Sequence, residues 1–366
     1  MFIRTKKYKE FDKSQAVFEF YKNYANIVAP ILKEEEYYRK SQLGLFIFIV
    51  LLSIVLITIL SFTDLAPFMV IVGILAGIST IFIYHNFRKR IKRRCMPLLL
   101  DAFGDITWYH DSDMISDVDL QQSELFSTYN RRSNDDSFIG TYKGVIYEVS
   151  ETNMFFESGS GRHKMVWPVF DGVVISFDSN KLVKNKTIIT TKGDVNVRNA
   201  HPFVWLLLIG FAIQMLPFLT SISSLLDLIV SVWPYLLIVL VVALVAIGVA
   251  KSRNTEILEE IKLEDPEFEK RYKAYSSDEI EGRYLITPTF MERFRTLHTS
   301  FGTNKAKCSF YGDRVMFAIS TRKNLFEIGD LFTPLTNPKQ INTFLSEISA
   351  IFDLIDYFKL DEKTGV

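Results

Sequence analysis

No charged side chain interrupts Leu43–Phe62, Pro67–Tyr84, Pro202–Leu226 or Leu228–Ala250. Each run exceeds or approaches the roughly 20 helical residues needed to cross a hydrocarbon core of about 30 Å. Core helices of soluble proteins are usually shorter and keep a polar stripe. The missing charge therefore points to four transmembrane helices in two hairpins. Cysteine is nearly absent as well. Cys95 and Cys308 cannot build a disulfide scaffold, and both fall in segments assigned below to the reducing side. Charge of one sign does not dominate, with 42 basic against 42 acidic residues, so composition gives no pull towards nucleic acid. A secretory signal sequence is not expected, because the first apolar run follows a charged segment and a second run comes at once.

Lysine and arginine are missing from Ser41–Phe87 and from Asn199–Ala250, while FRKRIKRR (87–94) and the first 42 residues are rich in them. Cytoplasmic loops retain positive charge. Both termini and the segment between the hairpins are thus expected in the cytoplasm, and the chain is expected to cross its membrane several times. The expected organisation is an N-terminal amphipathic helix over 1–42, hairpin one over 43–86 and hairpin two over 202–250. Segments 87–201 and 251–366 then lie on one side of the membrane. They are expected to pack as one split α+β domain, mainly antiparallel sheet with flanking helices.

Within that domain, Ser137–Ser150 predicts a strand, a turn at Lys143-Gly144 and a second strand. Met165–Asp178 and Lys186–Thr191 predict further strands, and Phe268–Tyr275 with Gly282–Ile286 another pair. A helix is expected from Thr289 to about Leu297, a hairpin over Lys305–Ile319 turning at Tyr311-Gly312-Asp313, and a helix over Asn342–Phe358. The N-terminal stripe Phe18, Tyr21, Tyr24, Ile27, Val28, Ile31 and Leu32 either packs on this domain, the preferred reading, or lies at the membrane surface.

Catalytic signatures are scarce. ESGSGRHK (157–164) lacks the GxxxxGK[ST] spacing of a phosphate loop and reads as a hairpin loop. DITWYHDSDMISDVDL (105–120) places Ile115, Ser116 and Gln122 where a calcium loop counted from Asp111 needs ligands and glycine, so it reads as a solvated acidic segment with a helix cap. Five scattered histidines show no metal-ligand spacing, and no nucleophile elbow or dinucleotide fingerprint occurs. No catalytic residue, metal or cofactor is therefore assigned, and the sequence leans against an enzyme. Gln214, Pro217 and Pro234 are interior features of the second hairpin, either kinks or a permeation site. Arg88, Lys89, Arg90, Lys92, Arg93 and Arg94 are the positive flank of a span and also candidates for anionic lipid headgroups.

SSDEIEGRYLITPTFMERF (276–294) crowds acids and arginines around an apolar core, and Asp278, Glu281 and Arg283 are its candidate polar site. The reading preferred here is structural: Thr287 or Thr289 caps a helix, and Tyr284, Leu285, Ile286, Phe290 and Phe294 pack the core. With FYGDRVMFAI (310–319), LFEIGDLF (325–332), FDGVVISFDSNKLVKNKTII (170–189) and ELFSTYNRRSNDDSFIGTYKGVIYEVSE (124–151), this stretch resembles an uncharacterised bacterial membrane family, domain-of-unknown-function family 3137. The resemblance implies a multi-pass protein of a bacterial inner membrane with an anchored cytoplasmic domain, and brings no activity. It also brings a candidate partner, a small helical membrane protein of the LemA type. The second apolar hairpin looks like a departure from the family pattern. The expected function is a membrane-anchored binding or scaffold module for a protein or lipid. The alternatives are a homo-oligomeric channel or transporter subunit built on the second hairpin, and a lipid-headgroup enzyme.

Overall fold

The computed structural model describes residues 13–63, 65–103, 105–159, 164–194, 258–303 and 305–358. The second apolar hairpin, with Gln214, Pro217 and Pro234, lies outside them. The chain opens with α1 (Lys13–Asn23), one π-helical turn (Tyr24–Val28) and α2 (Ala29–Ser61), running without a break. A short turn leads to α3 (Phe68–Leu100). α2 and α3 have 33 residues each, about 50 Å of helix at 1.5 Å per residue. From Leu45 to Phe82 their large apolar side chains are mostly exposed. An apolar helix pair of that size has no stable place in water. The two helices are long and apolar enough to cross a membrane, and the protein is membrane-associated.

Below Ile83 the character of α3 changes. Phe87, Ile91, Cys95, Met96 and Leu99 are buried in the main core, at the i, i+4 spacing of one helix face. The N-terminal helix packs on the domain. Phe20 is buried, stacks on Phe344 at 6.2 Å and meets Phe103 at 5.4 Å, while the Tyr21 hydroxyl donates to Asn342 Oδ1 at 3.0 Å.

After α3 come β1 (Ile106–His110), α4 (Asp117–Gln122), β2 (Arg131–Tyr142), β3 (Val145–Ser158) and β4 (Met165–Thr191). Then follow β5 (Glu259–Ile261), α5 (Pro266–Arg271), β6 (Tyr272–Ser276), α6 (Glu279–Leu285), α7 (Pro288–Phe301), β7 (Ala306–Ser320) and α8 (Pro338–Phe358). All strands pair antiparallel in one sheet. Lys143 and Gly144 take the left-handed backbone (φ 48° and 81°) that a tight β2–β3 turn requires.

β7 doubles back on itself. Its 15 residues would span about 50 Å if straight, yet the Ser320 amide donates to the Lys305 carbonyl at 2.9 Å. The reversal falls at exposed Gly312 and Asp313, with Gly312 at φ 55°. This is the hairpin expected over Lys305–Ile319. β4 pairs with one arm of β7 through Gly172–Asp178 and with the other through Thr187–Ile189, antiparallel both times. Because the arms of β7 oppose each other, β4 must also reverse, between Asp178 and Val183. The spatial order is therefore β1, β2, β3, first arm of β4, second arm of β7, first arm of β7, second arm of β4, β6, β5. One face packs under α3, α7 and α8 (Phe138, Val173, Ile175, Phe177, Phe317). The other, with Val174, Ile188, Met316 and Ala318, is covered by Ile115, Leu120 and Leu125 around α4.

Two expectations fail near α5 and α6. Phe268–Tyr275 is not one strand: residues 266–271 are helical, because the Asp265 carboxylate accepts from the Glu267 and Phe268 amides (2.8 and 3.2 Å) and Pro266 stands in the first turn. Gly282–Ile286 is not a strand either. Asp278 caps α6 by accepting from the Glu281 amide at 2.9 Å, and Gly282 lets the helix lie flat on the sheet. A Cβ there would stand 2.4 Å from Ile261 Cδ1 and 2.9 Å from Ser276 Cβ. Gly282→Ala gains up to about 1 kcal/mol of helix propensity but overpacks by about 1–3 kcal/mol. A net loss of stability is expected, and a thermal midpoint at or above the parent's would refute it.

Candidate functional site: a buried charge seam

Where α3 enters the domain, its basic residues divide between two faces. Arg90 makes a bidentate pair with buried Glu35 of α2 (2.9 and 3.0 Å) and lies over the Tyr38 ring at 4.1 Å. Arg94 also reaches Glu35 and meets Glu34 at 3.2 Å. These contacts bind the start of α2 to the last turns of α3. Lys89 sits 3.6 Å from Asp111, with both side chains partly exposed, and Arg93 is exposed.

Arg88 and Lys92, one turn apart, face the sheet. The Lys92 side chain is 4 % exposed, and its ammonium donates to Asp136 Oδ2 at 2.6 Å and Asp135 Oδ2 at 3.2 Å. It also lies 2.7 Å from Glu327 Oε1. Arg88 donates to both oxygens of Glu327. On its other oxygen Asp136 accepts from Trp108 Nε1 at 2.8 Å. Buried this deeply, Lys92 has no reach to a lipid headgroup. The Lys89, Arg90, Arg93 and Arg94 side chains stay at least partly exposed.

The same seam pins the segment between β7 and α8. The Leu325 amide donates to Glu151 Oε1 at 3.0 Å, and the Phe326 amide to Glu347 Oε2 at 2.7 Å. Phe326 stands in left-handed backbone at φ 56°, costly for an aromatic residue, and is held there by that bond and by Phe138 at 4.8 Å. Further along, the Leu331 carbonyl accepts from Arg39 at 2.7 Å and the Leu335 amide donates to Glu36 at 3.0 Å. Buried loop amides need acceptors, and here carboxylates from α2, β3 and α8 supply them.

The charges in the seam do not balance. Asp135, Asp136, Glu151, Glu327 and Glu347 face Arg88 and Lys92, with Lys323 acting on Glu347 as a third cation. Burial outweighs the Leu325 amide and pushes the Glu151 carboxyl up to about 9. Burial likewise raises Glu347 to about 7, and Asp136 to about 7 despite Lys92. Glu151 Oε2 has no hydrogen-bond partner among the described residues, as suits a carboxyl that carries a proton. Asp135, Asp136 and Glu151 offer oxygens within 4.8 Å of one another, a spacing that suits a cation. The Lys92 ammonium stands against two of them, so the chain supplies that cation from its own helix.

Asp278, Glu281 and Arg283 do not converge. Asp278 caps α6, Glu281 accepts from the Lys184 and Asn185 amides (3.1 and 2.9 Å), and Arg283 pairs with Glu279 at 2.8 Å rather than with Asp278 or Glu281. Thr287 caps α7, accepting from the Phe290 amide at 3.2 Å. The stretch is a folding element that ties α6 to the reversal in β4. The seam acids carried no local signal in the sequence, because their partners are remote in the chain.

Comparison with solved structures pairs the chain with the crystal structure of the mycobacterial trehalose monomycolate transport factor A, TtfA, at 8% identity and a TM-score of 0.30, covering 71% of this chain and 91% of that one. Comparison with curated proteins gives no match. The family model described as "Protein of unknown function (DUF3137)" matches residues 168–360, from the first arm of β4 through α8 and more than half of the 366 residues. The chain belongs to the DUF3137 family.

Proposed function

We propose that this protein is a membrane-anchored docking module that holds a rigid sheet domain against the cytoplasmic face of a bacterial inner membrane, where it binds a protein or lipid partner. The observation that carries this reading is the passage of α3, unbroken, from an exposed apolar segment into the buried seam at Lys92. A flexible tether would give a domain that samples the cytoplasm; a continuous helix locked by buried ion pairs fixes its distance from the bilayer. The lysine and arginine pattern supports cytoplasmic termini and a second span pair over 202–250. Lys89, Arg90, Arg93 and Arg94 are the side chains proposed to meet anionic headgroups.

Cross-linking in native membranes, followed by identification of the adducts, tests the reading. Reproducible adducts between the sheet domain and one protein or lipid class are expected. Turnover of a soluble metabolite by the purified chain without any partner would overturn it. So would adducts confined to other copies of the chain.

A further inference from the structure

The last paired residues of β3 and the first of β4 form an exposed apolar cluster. Met165 is 60% exposed, Val166 46%, Trp167 47% and Phe156 36%. Trp167 and Phe156 sit opposite each other across the strands, ring centroids 5.9 Å apart. Arg131 and Lys164 flank them, each 2.7 Å from Glu157, so these three described residues carry one net positive charge. Single exposed apolar residues are ordinary; four together at the end of one hairpin, a tryptophan among them, mark a contact surface.

Register fixes where this cluster points. From Lys89 to Asp101, α3 descends about 18 Å away from its apolar half, and β1 climbs back about 17 Å. Asp111, just after β1, meets Lys89 at 3.6 Å, so that end of β1 faces the apolar helices. His110 pairs with Asp136, and β2 continues from there to Arg131 in the same direction.

A second marker agrees. Beyond Ser320 the chain places Phe332 against Phe46 at 5.3 Å and Tyr84 at 6.1 Å, at the foot of the apolar stretch. Ser320 pairs with Gly172, which pairs with Thr152. From Thr152 the hairpin runs on to Ser158 and returns from Met165, about 20 Å further towards the apolar helices. Sheet twist of about 20–25° per strand tilts this direction without reversing it.

We propose that the β3–β4 tip is a second membrane contact, seated at the headgroup boundary of the bilayer that holds α2 and α3. Trp167 and Phe156 rest at that boundary, where amphipathic rings are favoured. Met165 and Val166 enter the acyl region, and Lys164 and Arg131 face lipid phosphates. Two separate contacts fix the sheet's orientation as well as its distance. The proposal rests on α2 and α3 being membrane-embedded, and its test separates the two ideas.

Full-length protein is reconstituted into phosphatidylcholine–phosphatidylglycerol vesicles containing doxyl-labelled lipid. An environment-sensitive fluorophore is attached to Val166→Cys, to Ile54→Cys in α2, or to Ile146→Cys, which is exposed beside the opposite β2–β3 turn. Cys95 and Cys308 are fully buried and stay unlabelled in the folded protein. The Val166 and Ile54 probes should both be quenched several-fold more than the Ile146 probe. Quenching at Ile54 with Val166 at the Ile146 level would overturn the tip contact and leave the membrane anchor standing. Quenching at neither site would remove both. A blue-shifted but unquenched Val166 probe would mean that protein, including a second copy, covers the tip, and would equally overturn the proposal.

Discussion

Lys92→Met is expected to cost about 1–3 kcal/mol of stability at pH 8, because buried Asp136 then loses its cation and must take up a proton. Asp136 is fully buried, and the ammonium 2.6 Å away is its nearest positive charge, while Asp135 and Glu327 lean on the same nitrogen. Methionine keeps most of the volume of the lysine stem, so the loss reports charge more than packing. Lys92→Met/Asp136→Asn should recover at least half of it, since asparagine still accepts from Trp108 and needs no counter-ion. Arg93→Met, one position along and exposed, is the control expected to lie within about 0.5 kcal/mol of the parent. Alkylation of Cys95 and Cys308 during denaturant titration gives the readout, because both thiols are buried until the domain opens. Equal midpoints for Lys92→Met and Arg93→Met would show that the seam does not hold the domain to its anchor.

That seam marks the limit of what local pattern reveals. The β2–β3 hairpin was legible because Lys143-Gly144 stands between runs of β-branched and aromatic residues, and the β7 reversal because Gly312-Asp313 interrupts a buried run. α8 was legible from its helical period and proves four residues longer at its start. α5 and α6 were misread because Phe268, Tyr272, Tyr284 and Ile286 have strand-like chemistry. The decisive residues were the caps Asp265 and Asp278, whose effect on backbone amides outweighed side-chain propensity. The seam itself had no comparable signal. Lys92 and Asp136 are 44 positions apart and Glu151 and Leu325 are 174 apart, so each charge looks in sequence like an ordinary solvated one. Only the sheet order brings them together. The basic patch after the second apolar run looked like one feature and is two, since 100° per residue sends Arg88 and Lys92 inward and Arg90 and Arg94 towards Glu35.

Stability is expected to fall as pH rises through neutrality, and Glu151→Gln should remove part of that slope. Glu151 titrates near 9 in the folded state against an ordinary 4.5, with burial as the main cause. Below the ordinary value both folded and unfolded chains carry the proton, and the group costs nothing. Between about 4.5 and 9 the unfolded chain releases it while the folded chain keeps it, so folding loses about 1.4 kcal/mol per pH unit for this one group. Glu347 and Asp136 add slopes of the same sign that end near 7. The charged groups acting on Glu151 are Asp135 and Asp136 from β2 and Lys92 from α3, while Glu347 of α8 feels Glu327, Lys323 and Asp136. Glutamine mimics the protonated carboxyl and retains an acceptor for the Leu325 amide. Unfolding midpoints of parent and Glu151→Gln should therefore coincide near pH 5 and diverge towards pH 8, with the variant the more stable. Parallel curves across that range would mean that Glu151 is ionised in the folded protein and that the seam is stabilised by charge pairing alone.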